Sequence, residues 1–220
     1  MRATGLILLL GISLFSVSLL SCNSGAGSPP TFCDTTCSND TIRFIGKHET
    51  LPTVSISMAG CLPDTIQWHH GGMDAYTKTG FTYLIEQSVR INKNFVTAKF
   101  KDNAYVWVLF NDCLTGRGFQ LKLPYDKSEK FSVNSSGINS FDPKFSVAEQ
   151  LIVNTDRGNI YVEDAYTGKK AMMTFGEKIP IDYDLIHDHL DSVHITEKRI
   201  WVRFKLNNKW VEKEKNIVLE

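Results

Sequence analysis

The segment Tyr105-Val106-Trp107-Val108-Leu109-Phe110 is apolar at every position. Side chains of a strand alternate between two faces, so this run predicts a strand buried on both sides, at the centre of whatever sheet the chain forms. A second β-type run, 95–100, precedes it, and Lys101-Asp102-Asn103-Ala104 between them is a hairpin signature. The rest of the chain from Thr41 follows the same grammar. Short runs at 41–45, 53–58, 65–69, 81–85 and 119–123 are bounded by Gly, Pro or Asp, and further runs lie at 150–154, 159–163 and 171–175. Residues 200–206 and 209–219 form a last hairpin about Asn207-Asn208, because Asn tolerates the positive φ of a two-residue turn. The stretch 124–144 is polar and turn-rich and reads as a long loop or as the boundary between two halves, 41–123 and 145–220.

These runs predict a mainly β fold: an antiparallel, sandwich-like domain over 41–220 with a long central connection. A small irregular β-propeller is the alternative. Asp112-Cys113-Leu114-Thr115-Gly116-Arg117 and Asp164-Ala165-Tyr166-Thr167-Gly168-Lys169 share Asp, Thr, Gly and basic positions, and the stretch 158–169 resembles a blade turn of quinoprotein-type propellers. The spacing is uneven, however, and Asp, Thr and Gly also make good hairpin turns without any repeat. One segment reads as helical: 182–191 puts Ile186 and Leu190 on one side and Asp184, His187, Asp188 and Asp191 on the other.

The N-terminus specifies location. Met1-Arg2 is followed by an uncharged apolar run from Gly5 to Leu20 and by the small residue Ser21, which is a secretory signal rather than a membrane span. Leu19-Leu20-Ser21-Cys22 resembles the lipobox of bacterial lipoproteins. The resemblance implies cleavage before Cys22, acylation of its thiol with palmitate-type chains, and anchoring in a lipid bilayer, with each buried CH₂ contributing about 0.8 kcal/mol. Asn23 is not the Asp that retains enteric lipoproteins in the inner membrane, so the expected location is the cell envelope at the outer membrane, with either face open. Residues 22–40, small, polar and rich in Pro and Gly, read as a flexible tether. The chain as a whole resembles the small secreted lipoproteins common in Bacteroidota. Asp34-Thr35-Thr36, Asp40-Thr41-Ile42, Asp64-Thr65-Ile66 and Asp191-Ser192-Val193 resemble the O-glycosylation sites of exported proteins there, with Thr35 and Thr41 as acceptors.

Charge and cysteines bound the chemistry. With 24 basic and 24 acidic side chains, there is no electrostatic reason to expect a nucleic-acid partner. Beyond Cys22 the cysteines are Cys33, Cys37, Cys61 and Cys113, and an exported chain keeps disulfides. Three pairings are open; Cys33–Cys37 with Cys61–Cys113 is the preferred one. No cofactor is expected. Three candidate sites follow. The Asp184, His187, Asp188 and Asp191 group has the ligand types of a divalent metal site, and with His189 and His194 it would serve a metal-dependent hydrolase; a solvated surface helix is the competing reading. His69-His70-Gly71-Gly72 resembles the oxyanion turn of some esterases, but no Gly-x-Ser-x-Gly accompanies it in the mature chain. The terminal hairpin puts Trp201, Arg203, Trp210 and Glu212 on one face, with the tryptophans about 13 Å apart and Arg203 opposite Glu212. Flat aromatics among charges suit a glycan or an envelope protein, unless other parts of the chain cover them. The function expected is therefore a non-catalytic envelope binding or accessory module, with the hydrolase as alternative.

Overall fold

The computed structural model describes residues 38–175 and 189–220. In chain order the strands are β1 (Ile42–Ile45), β2 (Thr53–Ala59), β3 (Leu62–His69), β4 (Thr77–Gly80), β5 (Val96–Lys101), β6 (Tyr105–Asn111), β7 (Gly118–Pro124), β8 (Ser132–Ile138), β9 (Phe145–Val147), β10 (Leu151–Asp156), β11 (Asn159–Asp164), β12 (Lys170–Thr174), β13 (Leu190–Ile195), β14 (Arg199–Leu206) and β15 (Lys209–Asn216), with one short helix, α1 (Phe81–Ile85), after β4. They form a four-stranded sheet β1-β2-β3-β4, a seven-stranded sheet β12-β11-β10-β8-β7-β6-β5, and a four-stranded sheet β15-β14-β13-β9. Pairing is antiparallel except between β9 and β13.

The strand at 105–110 is buried on both sides as its composition predicts, every residue of β6 lying inside. It is not central, however: it is second from the edge of the seven-stranded sheet, between β5 and β7, and two covered faces rather than a middle position account for its apolar run. Its two faces do different work. Val106, Val108 and Phe110, with Phe119, Leu121 and Leu123 of β7, pack against Val54, Ile56, Ile66 and Trp68 of the first sheet and against α1. The Trp68 indole donates to the Pro124 carbonyl at 2.7 Å inside this core. A second core joins Leu151 and Val153 of β10 and Ile160 and Val162 of β11 to Val193, Ile195, Ile200, Val202 and Phe204 of the third sheet. Directly paired residues share a face. The pairings of Gly118 with Gly137, Gly137 with Asn154, and Ile138 with Val153 carry that face from β7 to β10. Both small sheets therefore lie side by side on one face of the seven-stranded sheet, and the fold is two sandwiches sharing a layer rather than radial blades.

The opposite face is concave. Tyr105, Trp107 and Leu109 of β6 form a third apolar cluster with Ile152 of β10 and Ala165. Strands β7 and β8 lie between β6 and β10, so a flat sheet would hold the two about 14 Å apart. Contact requires the sheet to curl into a half-barrel. Lysines on β5 reach across the opening: Lys99 Nζ donates to the Glu149 and Leu151 carbonyls, and Lys101 Nζ to Thr167 O at 3.0 Å. A register shift between β7 and β8 helps the turn. Its glycines are obligatory, because a Cβ on Gly118 would sit 2.1 Å from Gly137 O.

Several expectations are corrected. Residues 81–85 form a helix, not a strand: Phe81, Leu84 and Ile85, at helical spacing, all face the first core, and the helix ends where Glu86 takes a left-handed φ of 60°. The stretch 124–144 contains β8, so the shared sheet runs through the expected boundary. Ser132–Ile138 has only Val133 and Ile138 as apolar β-formers, and pairing with β7 decides its state. Leu190–Ile195 is a strand whose Leu190, Val193 and Ile195 are buried, so the C-terminal end of the expected helix is extended chain. The two Asp-x-x-Thr-Gly segments are one turn used twice. Asp112 Oδ2 accepts from Thr115 N–H and Asp164 Oδ1 from Thr167 N–H, and Gly116 and Gly168 take φ of 74° and 75°. Cys61, in the β2–β3 turn, and Cys113 each take part in a disulfide, and the expected bond of the one to the other is not shown among the described residues. Cys22, Cys33 and Cys37, like the expected signal segment, lie outside the described residues.

The terminal hairpin has the expected register, Leu206 with Lys209, Lys205 with Trp210 and Arg203 with Glu212. Asn207 and Asn208 have φ of 48° and 61°, the mirror-image turn that follows strand twist. Asn208→Gly should therefore raise the unfolding free energy by roughly 0.5 kcal/mol, and Asn208→Val should lower it by more; urea denaturation checks both.

Candidate functional site: a trough in the concave sheet

The concave face carries polar side chains around an aromatic floor. Lys99 of β5, Trp107 of β6, Lys122 of β7 and Ser132 of β8 lie in one cross-strand row, and Leu109, Gln120 and Asn134 lie in the next. Strand alternation sets this: each apolar residue of β5, β7 and β8 that enters the first core sends its polar neighbour to the other side. Strand β8 pairs with β10 only at Gly137 and Ile138, and the two strands part beyond. The opening is filled by two adjoining cavities of about 320 and 380 Å³, which share Asn134, Asn154 and Tyr161. Trp107, Lys122, Glu163 and Lys170 line one end, and Ser135, Ser136 and Asp156 line the other.

A charge network sits at the first end. Lys122 Nζ lies 2.9 Å from Glu163 Oε1, 4.1 Å from the centre of the Tyr105 ring and 5.2 Å from that of Trp107. Lys170 Nζ lies 3.3 Å from the other Glu163 oxygen. Opposite charge and two ring faces thus hold one ammonium in a low-dielectric corner. The donors beneath are not all used. Trp107 is 3% exposed, and its indole N–H, like the Tyr105 hydroxyl, is buried with no hydrogen-bond partner among the described residues. Burial pushes the Tyr105 hydroxyl up to about 12, and the nearby Glu163 and Asp164 charges add to the shift. The Asn134 and Asn154 amides have no side-chain partner among the described residues, whereas Gln120 Nε2 donates to Val153 O at 2.5 Å and helps fix the wall.

The sequence-predicted residues fall elsewhere. Asp182, Asp184, His187 and Asp188 lie outside the described residues. Asp191 stands on β13, where hydrogen bonds from Ser192 and Arg203 hold its carboxyl below the usual carboxylate range. Its Oδ2 accepts from Arg203 Nε at 2.7 Å, so Arg203 is bound to Asp191 rather than to Glu212, its partner in register. Arg203 also lies over the Trp210 ring, 5.6 Å from its centre, with Lys205 at 6.0 Å. Trp210 is 57% exposed and Trp201 half-buried, so the outer face of the hairpin is open at its tip. His70 packs edge-on against Tyr125, and Gly71 N–H donates to Thr50 O, which makes His69-His70-Gly71-Gly72 a turn on the first core.

The trough was not anticipated from sequence. The signal for half of it was present: the hairpin turn at 101–104 puts Lys99 beside Trp107, and the alternation in 119–123 puts Lys122 on the face away from Phe119 and Leu121. What was missing was β8, which supplies Asn134 and sets the curl.

Lys99 gives the curl a pH signature. Burial lowers its ammonium from 10.5 to about 8, while the Glu149 and Asp164 charges pull the other way. Below about pH 8 folded and unfolded chains both hold the proton, and the burial cost is fully present. Between about 8 and 10.5 the unfolded chain binds more protons than the folded one, so stability rises with pH. Urea titrations at pH 7.5 and 10 should show that rise in the parent chain and its loss in Lys99→Met.

No protein-family model, no curated protein and no solved structure matches this chain.

Proposed function

We propose that the chain is an envelope lipoprotein, anchored through acylated Cys22, whose β domain is a non-catalytic binding module for a glycan held in the concave trough. The observation that carries the reading is the pair of amides, Asn134 and Asn154, without a side-chain partner among the described residues and flanking Tyr161 in a cleft that Trp107 also lines. A polyhydroxylated ligand offers the matching donors and acceptors, and an aromatic face suits the C–H side of a sugar ring. Each cavity falls within the roughly 300–1,000 Å³ of small-ligand sites, and the two in line suit an oligosaccharide. Glu163, the carboxylate at the first end, is tied to Lys122 and Lys170, an arrangement suited to orienting a ligand rather than to exchanging its proton.

A second reading, capture of an envelope protein on the β14–β15 face, is favoured by the exposure of Trp210 with two cations against its ring.

An array of bacterial and host oligosaccharides, probed with the full chain and followed by titration calorimetry on any hit, tests the first reading. Tyr161→Ala and Asn154→Ala should each weaken binding by about tenfold or more, near 1.4 kcal/mol, with unchanged melting temperature, and Trp210→Ala should leave it intact. Loss of glycan binding in Trp210→Ala alone moves the site to the hairpin, and an array without a hit rejects the glycan.

A further inference from the structure

The trough is electrically lopsided. Among the described residues, the charged ones lining its first cavity, of about 320 Å³, are Lys122, Lys170 and Glu163, two ammoniums against one carboxylate. The charged residue lining the second cavity is Asp156, and it already faces Arg157 at 3.8 Å. Asp164 and Lys101, the next charges around Tyr105, offset each other. The excess positive charge therefore sits at the Trp107 end.

The register keeps that charge available. Glu163 of β11 pairs with Lys170 of β12, and its two oxygens meet Lys122 Nζ at 2.9 Å and Lys170 Nζ at 3.3 Å. Each ammonium carries three N–H donors, so one carboxylate leaves both with donors to spare. The inner pair is fixed, with Glu163 14% and Lys122 28% exposed and the Lys122 ammonium over the Tyr105 ring. Lys170 lines the same cavity at 67% exposure, so its ammonium is the one a ligand can reach. A bound anion would bring the cluster to two negative against two positive charges, and a charge-assisted hydrogen bond is about twice as strong as a neutral one. A neutral glycan would leave the excess unused. We infer that the trough selects an acidic glycan, whose single anionic group, a carboxylate or a sulfate ester, is held by Lys170 at the Trp107 end while its neutral part runs past Tyr161 and the Asn134 and Asn154 amides. The inference rests on the glycan reading above and adds the charge and the direction of the ligand.

The test is an array of oligosaccharides printed in matched pairs, uronates with their methyl esters and sulfate esters with their desulfated forms, probed with the full chain and followed by calorimetry. The anionic member of a pair should bind at least about tenfold more tightly, and the pair that responds identifies the group. Lys170→Gln should bring the anionic member down to the level of its neutral counterpart without lowering the melting temperature, and Lys170→Arg should keep the preference. Equal binding of both members, a preference indifferent to Lys170→Gln, or a preference lost equally in Lys170→Arg each overturns the inference and leaves the glycan reading standing. An array without a hit of either kind overturns both.

Discussion

Curling a seven-stranded sheet until its first strand approaches its fifth is opposed by the natural spacing of the ladder, and the contact of Tyr105, Trp107 and Leu109 with Ile152 and Ala165 is what opposes that spacing. These side chains come from the face of β6 that the first core does not use. A polar residue at Trp107 or Leu109 would leave β6 half-buried and the sheet free to flatten, and the trough would open into a plain surface. Because β6 is apolar on both sides, the first core and the concave cluster draw on one strand. The apolar area needed for the curl is therefore present before any ligand surface is considered.

Apolar contact does not close the structure alone. Lysines donating to main-chain carbonyls recur wherever one sheet margin meets another: Lys99 and Lys101 span the open side of the half-barrel, while Lys213 reaches Phe175 O and Lys215 reaches Met172 O to tie β15 to β12. The C-terminal residue joins the same margin, since Glu220 and Lys170 exchange backbone hydrogen bonds. A long apolar stem with a cationic tip suits this task, because the stem covers the edge of a core while the ammonium satisfies carbonyls left over by the sheet. The cost is uneven. Lys215 stays near solvent, whereas Lys99 is desolvated enough for its ammonium to be depressed. The curl thus rests partly on a bond whose donor dislikes its surroundings.

That division explains what could be read in the sequence. The strand at 105–110, the hairpin before it and the terminal hairpin with its Asn207-Asn208 turn were legible because period and turn chemistry agree locally. The repeated Asp-x-x-Thr-Gly turn was legible as a turn for the same reason. Residues 81–85 were misread because Phe81, Leu84 and Ile85 satisfy a helix while the segment's composition also suits a strand. Strand β8 was invisible because its own residues hardly favour extension; β7 imposes it. The trough inherits that invisibility, since Asn134, Asn154 and Tyr161 come from three strands and meet only when the sheet curls. Asp191 shows the converse: expected among metal ligands on a helix, it stands on a strand and is held by the Arg203 guanidinium, brought alongside by strand pairing rather than by helical spacing.

The trough and the β5 margin share one support. Lys99 lines two cavities along the β5 edge, and its ammonium holds Leu151, at the start of the strand that carries Asn154 into the trough. A ligand in the trough would sit against the strand that this lysine holds. Both surfaces exist only in the curled sheet, so each is complementary to the same arrangement of β5, β6 and β10. A substitution that slackened the Lys99 bonds would change the width of the trough and the depth of those cavities together, even though no residue is common to the two. Their dependence on one set of contacts follows from building both in a single layer.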